Sequence, residues 1–547
     1  MKKFVLFLSV LLAVTITALS CTTIVVTKGA SVDGSVMVTH TADCGSCDFR
    51  LVRVPAMNFE AGTKRPVYPM REPYPRYVGT YHGEGYNTPG YEPTEPLGYI
   101  DQVEHTYAYM DAVYGVINEH QLAIGECTTA AKPYVKPTPG SAIFDVRALS
   151  LVAMERCTKA RDAVQLMGEL AVEYGYYGWG ETFTVCDTEE AWVFEICGTP
   201  DKKSALWVAT RVPDGTVFVE ANEFRTREIA TDDPENQLYS PNLHEVATAE
   251  GWWDPNSGEL LDWLQTVSPG EYSHPYYSLR RVWSALRRIA PSMNFSPRVE
   301  NTYTKDYPMF VKPDKKLSVQ DVFALHRDYY QGTDYDLTKG LAAGPFGSPD
   351  RNGGNKLVKG AWERPISIFR CDYSWVAQLR DWLPDPIGGV LWFGPDAPHT
   401  TAYVPFYCGT TDLPYQYETG SHLEFDPEIA FWVHSFAGNW ANLKFSYIIE
   451  DIKAMQKKTE DRQFIMQPAV EMAALELYKQ DPQMAIDFLT DYSNNNAERV
   501  VKEWWDFDQM LIRKYNDGYV DGKTVDYPAW WLKEVGYEDG PMEFPGK

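Results

Sequence analysis

Cys21 is the residue on which chemistry could be built. Residues 1–20 read as an export signal: Lys2 and Lys3 give a positive start, residues 4–18 are apolar, and Ala18-Leu19-Ser20 puts small residues at the minus-three and minus-one positions. Cleavage there is expected before Cys21. A cysteine that begins a mature chain holds its own α-amino group within reach of its sulfur. That amine has a pKa of about 8 against about 8.5 for the thiol. It can take the thiol proton directly or through one water, so one residue supplies both nucleophile and base. The same four residues, Ala18-Leu19-Ser20-Cys21, also resemble an imperfect bacterial lipobox. In that reading Cys21 carries lipid on its sulfur and an acyl group on its nitrogen, and both catalytic groups are blocked.

The residues after Cys21 decide between these readings. Residues 22–27 are β-branched and compact and form a strand directly, with no polar tether of the kind that follows a lipid anchor. Asp33-Gly34 marks a tight turn, and residues 36–41 form the returning strand. Antiparallel pairing then brings Asp43 back beside Cys21.

Around this hairpin the chain alternates hairpins with helices. Residues 113–119 and 122–127 form a second hairpin candidate, residues 142–174 two helices with a break near Thr158, and residues 183–186 and 191–196 a third hairpin. Residues 206–211 and 216–221 are expected to pair across Pro213-Asp214-Gly215. Residues 55–96, rich in Pro, Gly and Tyr, read as a long insertion. Strands return over 366–407, and helices dominate after Phe445. Asp481-Pro482 is a helix start, and Asn496 is a candidate cap for the run to Tyr515. The pattern is α+β with antiparallel sheets.

The start Cys21-Thr22-Thr23, then Ser31-x-Asp33-Gly34-Ser35 and Asp43, resembles the dipeptidase family of N-terminal-nucleophile cysteine hydrolases, the dipeptidase A and secernin group. Similar segments follow in order: Tyr114 to His120, Glu181-Thr182-Phe183-Thr184, Glu190 to Glu195, Arg211 to Gly215, Ala221 to Arg225, Tyr277 to Trp283 and Gly388 to Trp392. The resemblance implies a four-layer αββα sandwich over residues 21–450, followed by a C-terminal helical extension over 451–547. It implies hydrolysis of the dipeptide amide bond through an acyl-enzyme on Cys21. Asp43 would hold the Cys21 amine. Asn118 would donate to the tetrahedral oxyanion, a contact worth about 3 kcal/mol. Asn222 is a second polar candidate, and Arg280 or Arg281 would order the site. Relatives carry Arg-Asn-x-Asp where this chain has His40-Thr41-Ala42-Asp43, so His40 is a candidate substrate contact in place of an arginine. Glu126 is the candidate carboxylate for a substrate amine, and His399-Thr400-Thr401 a candidate pocket segment.

Composition narrows the partners. The net charge is −25 over 547 residues, with no basic patch for nucleic acid. Beyond the signal, no apolar run is long enough for a membrane span. Cys44-Gly45-Ser46-Cys47 lacks the second pair that zinc requires and reads as a local disulfide or two ordinary thiols. No cofactor or metal is expected. The expected partner is a small peptide, with room for a homo-oligomer, and the expected location is periplasmic or extracellular. The alternatives are an N-acyl amide hydrolase of the same chemistry and a lipid-anchored surface protein without catalysis.

Overall fold

The computed structural model describes residues 21–355 and 357–542. The signal segment therefore lies outside the described residues. Two antiparallel sheets form the centre. The seven-stranded sheet runs Phe310–Val311, Val217–Glu220, Thr23–Val26, Val36–Ala42, Tyr373–Leu379, Val390–Pro395, Val404–Tyr407. The eight-stranded sheet runs Gln237–Tyr239, Ala205–Arg211, Ala191–Gly198, Gly180–Cys186, Ala123–Thr129, Gly115–Asn118, Tyr109–Asp111, Val52–Val54.

The sheets stack through their central strands. All four side chains of Thr23–Val26 are buried, as a strand covered on both faces requires. Thr23 Oγ1 lies 2.7 Å from Thr184 Oγ1 of the opposite sheet. Gly125 shows how close the approach is: a Cβ there would sit 2.4 Å from the Thr39 carbonyl oxygen and 2.9 Å from Thr23 Oγ1. Helices Val146–Arg156 and Ala160–Tyr174 cover the eight-stranded sheet. Leu279–Ile289, Val319–His326, Ala430–Ala441 and the C-terminal helices cover the seven-stranded one. The result is α+β in four layers, helix–sheet–sheet–helix.

Two local expectations are corrected. Ala205–Arg211 and Val217–Glu220 do not pair. The first joins Ala191–Gly198 and Gln237–Tyr239 in one sheet, the second joins Thr23–Val26 and Phe310–Val311 in the other. The Pro-Asp-Gly turn carries the chain between layers, and its local chemistry is the same whichever sheet the chain enters next. Asn496 caps nothing. Helix Pro482–Lys514 runs through it, and its buried amide donates to Gln463 Oε1 at 2.7 Å. Asp481 does cap that helix, accepting from Gln483 N, with Pro482 in the first turn.

The C-terminal region is tied to the sandwich. Helix Phe445–Gln480 crosses the expected boundary at 450 and bonds the segment entering the last strand. Gln456 donates to the carbonyls of His399 and Thr401, Gln463 to that of Tyr403, and Glu460 accepts from Tyr403 N. His399 is thereby a packing residue, also bonded to Ser367. Cys44 and Cys47 form a disulfide. Among the described residues no helix is long and apolar enough to cross a membrane.

Candidate active site

The hairpin at Thr23–Val26 is regular only near its turn, where Val25 pairs Val38 and Val26 pairs Met37. Toward Cys21 the ladder thins to one bridge, where Thr41 N donates to the Thr22 carbonyl, and threonine hydroxyls supply the other bonds. Thr39 Oγ1 accepts from Ile24 N at 3.0 Å, and Thr41 Oγ1 accepts from Thr22 N at 3.0 Å. The Thr41 hydroxyl passes the chain on, donating to Asp43 Oδ2 at 3.1 Å, and Arg364 donates to that same oxygen. The run of β-branched polar residues thus fixes the Cys21 end of the strand.

Cys21 is 1 % exposed. Its thiol donates to Glu126 Oε1 at 3.4 Å. Burial pushes the thiol well above its ordinary pKa. Glu126, Asp43 and Glu181 add to that rise, and the backbone N–H of Asp43 opposes it. The Cys21 carbonyl oxygen accepts from Arg281 Nη1 at 2.6 Å. Arg281 also reaches Thr22 Oγ1 and, through Nη2, Asn222 Oδ1 at 2.6 Å. Asn222, with φ 62°, donates its amide to the Thr128 carbonyl. One guanidinium therefore pins the Cys21 backbone to the strand end at Asn222. Burial and the nearby Arg364 lower the pKa of Arg281.

His40 stands opposite Glu126. Its Nδ1 donates to the Glu126 carbonyl oxygen at 3.0 Å, made reachable by the missing Cβ at Gly125. Its ring is wedged among Tyr114, Tyr373 and Trp375. Nε2 lies 3.4 Å from Glu126 Oε1 but is not aligned for a hydrogen bond. Glu181, on the strand next to that of Glu126, is buried and hydrogen-bonded to it. Burial, then Glu126, raise its pKa strongly. Glu72 is raised to about 7 by burial and by Glu126.

The structure thus gathers Cys21, His40, Asp43, Glu126 and Asn222. It does not bring Asn118 or Arg280 into this group. Both N–H groups of the Asn118 amide are committed to the carbonyls of Met154 and Cys157, and its Oδ1 accepts from His120 N and Leu122 N. Asn118 closes a turn and the end of a helix, and has no hydrogen left for an oxyanion. Of the two arginines, Arg281 serves the site. Successive helical residues point about 100° apart, and Arg280 turns away to Glu363, the Pro297 carbonyl and the rings of Tyr276 and Tyr335. Sequence reasoning missed Glu181 and Arg364. Glu181 carried a signal, a carboxylate inside a buried strand. Arg364 carried none, because it lies 321 residues from Asp43.

The Cys21 thiol thus rests on a carboxylate in a buried site whose backbone is held by Arg281. The sequence model of peptidase family C69 matches residues 20–458, and the chain belongs to that family. It is 27% identical over 417 residues to a probable dipeptidase of Salmonella dublin, covering 75% of this chain and 85% of the relative. It is 24% identical over 456 residues to dipeptidase A of Lactobacillus helveticus, covering 80% and 85%. A probable dipeptidase A of Streptococcus pyogenes serotype M1 matches at 23% over 506 residues, 91% of this chain and 98% of the relative. Among solved structures, the penicillin V acylase of Agrobacterium tumefaciens is similar at 12% identity and a TM-score of 0.29, over 73% of this chain and 89% of that one.

Proposed function

We propose that the protein is an exported cysteine dipeptidase whose nucleophile is Cys21, freed as the first residue by signal cleavage. The observation that carries this is the placement of Cys21: buried at the end of a central strand, thiol on Glu126, carbonyl pinned by Arg281. The names of the relatives supply the dipeptide class.

In this reading the sulfur attacks the scissile carbonyl, and the α-amine takes the thiol proton and returns it to the leaving amine. A raised thiol pKa fits a nucleophile that stays protonated until substrate and base are in place. Asp43, held by Thr41 and Arg364, sits where it can steady the protonated amine. The carboxyl pair Glu126–Glu181 offers the negative charge that a dipeptide's free amine requires. A cavity of about 750 Å³ has Tyr277, Arg364 and Arg370 in its wall. Its volume suits a small peptide, and two of its arginines, Arg364 and Arg370, bond Asp43, so it lies next to the site on the side a substrate carboxylate would favour.

The test is N-terminal sequencing of the exported protein together with a dipeptide panel. The expected result is a free Cys21 terminus and turnover of dipeptides in preference to N-acyl amides. A lipid-modified Cys21 sinks the proposal.

A further inference from the structure

Three donor atoms of different kinds converge at the nucleophile. Cys21 Sγ and His40 Nε2 each lie 3.4 Å from Glu126 Oε1, and the three atoms fall within 4.8 Å of one another, all on buried residues. In a tetrahedral zinc site, with donors about 2.0–2.3 Å from the ion, donor pairs lie roughly 3.4–3.6 Å apart. Two of the three edges already match. His40 Nδ1 faces a carbonyl oxygen, which only accepts, so the proton sits on Nδ1 and Nε2 presents its lone pair. A backbone carbonyl fixing the far nitrogen is how metal-ligating imidazoles are oriented.

A second observation points to a ligand. His40 is 2% exposed, yet its Nε2 has no hydrogen-bond partner. Buried polar atoms left in this way are uncommon and costly. The other cysteine-bearing cluster, Cys44, Cys47 and Glu72, is closed by its disulfide.

We infer that Cys21, His40 and Glu126 form a reversible Zn²⁺ site that switches the nucleophile off. On binding, the Cys21 thiol releases its proton to solvent and the thiolate coordinates. His40 gives the Nε2 lone pair and Glu126 one oxygen, and water or the α-amine of a processed Cys21 takes the fourth position. Nothing is oxidised or reduced. Coordination draws charge from the sulfur and places the ion where the scissile carbonyl must approach. The inhibitory consequence rests on the nucleophile reading above; the binding does not. An arginine at position 40 would have no lone pair to offer, so histidine there is what completes the site.

The experiment titrates the purified, processed protein with Co²⁺ and Zn²⁺. We expect one Zn²⁺ per chain by calorimetry and a thiolate-to-Co²⁺ charge-transfer band. Peptidase activity should fall in step with Zn²⁺ occupancy and return with chelator. His40→Gln and His40→Arg should weaken binding by about 100-fold, and Glu126→Gln should also weaken it. Absence of the cobalt–thiolate band in the wild-type protein overturns the inference. So does affinity unchanged in both His40→Gln and Glu126→Gln, or full activity at saturating Zn²⁺. If a processed Cys21→Ala protein still hydrolyses dipeptides, the nucleophile reading falls, and the wild-type cobalt band still decides whether the site exists.

Discussion

Two buried charged clusters lie in this molecule, and they are built on opposite plans. Beneath the 55–96 insertion, Asp48 is bonded by Arg50 and Arg76, and Asp111 by Arg147 and Tyr86. Arg65 pairs with Glu155 beside them. Burial alone would raise the Asp48 carboxyl, but Arg76 and Arg50 outweigh it and hold it well below its ordinary value. At Cys21 the balance is reversed. Glu126 and Glu181 face each other as two carboxyls, burial and Glu126 raise the Glu181 pKa, and His40 Nε2 and Asp43 Oδ1 have no hydrogen-bond partner. A cluster that pairs each carboxylate with a guanidinium stabilises a fold. One that leaves polar atoms incomplete in a dry site is shaped for something that arrives.

The two clusters should therefore break differently. Asp48→Asn strands two buried guanidinium groups and should cost about 3–5 kcal/mol in chemical denaturation. Arg281→Lys keeps the charge but loses the fork that joins Cys21 to Asn222. It should lower kcat/KM by about 10²-fold, the scale of a misplaced reacting group, whereas Arg280→Lys should stay within about threefold. Asn118→Ala strands two buried carbonyls and should cost about 2 kcal/mol of stability with kcat unchanged, which separates a turn-holder from an oxyanion donor.

The pH dependence sharpens the comparison because the signs are opposite. Asp48 has a depressed pKa, so its contribution is present above its ordinary 3.8 and is lost as pH falls toward the depressed value. Glu181 has a raised pKa, so the native state binds the extra proton. Stability is then lost as pH rises from the ordinary 4.5 toward the raised value. Glu181→Gln should remove that alkaline-side loss and leave the acid limb to Asp48. Thermal melts across pH 3–8 read both.

The sequence made the Cys21–Asp43 hairpin legible because everything that forms it is local: β-branched strands, an Asp-Gly turn, antiparallel return. The helix pair at Val146–Arg156 and Ala160–Tyr174 and the start at Asp481 were legible for the same reason. What reaches Cys21 from afar was not. Arg281 arrives from 260 residues away, and choosing it over Arg280 needs the rotation of a helix against the sheet. Asn118 looked like a donor because amide chemistry is visible in sequence, and the carbonyls that occupy it are not. The zinc-like geometry of Cys21, His40 and Glu126 has no spacing signature at all, since the two sheets bring it together only where Gly125 lets their backbones touch.

The most direct test of the central claim is dipeptide turnover by a Cys21→Ala protein whose processed terminus has been verified by intact mass. The account expects a loss of at least about 10⁴-fold in kcat with the melting temperature little changed. Turnover at the wild-type rate from that protein would contradict it.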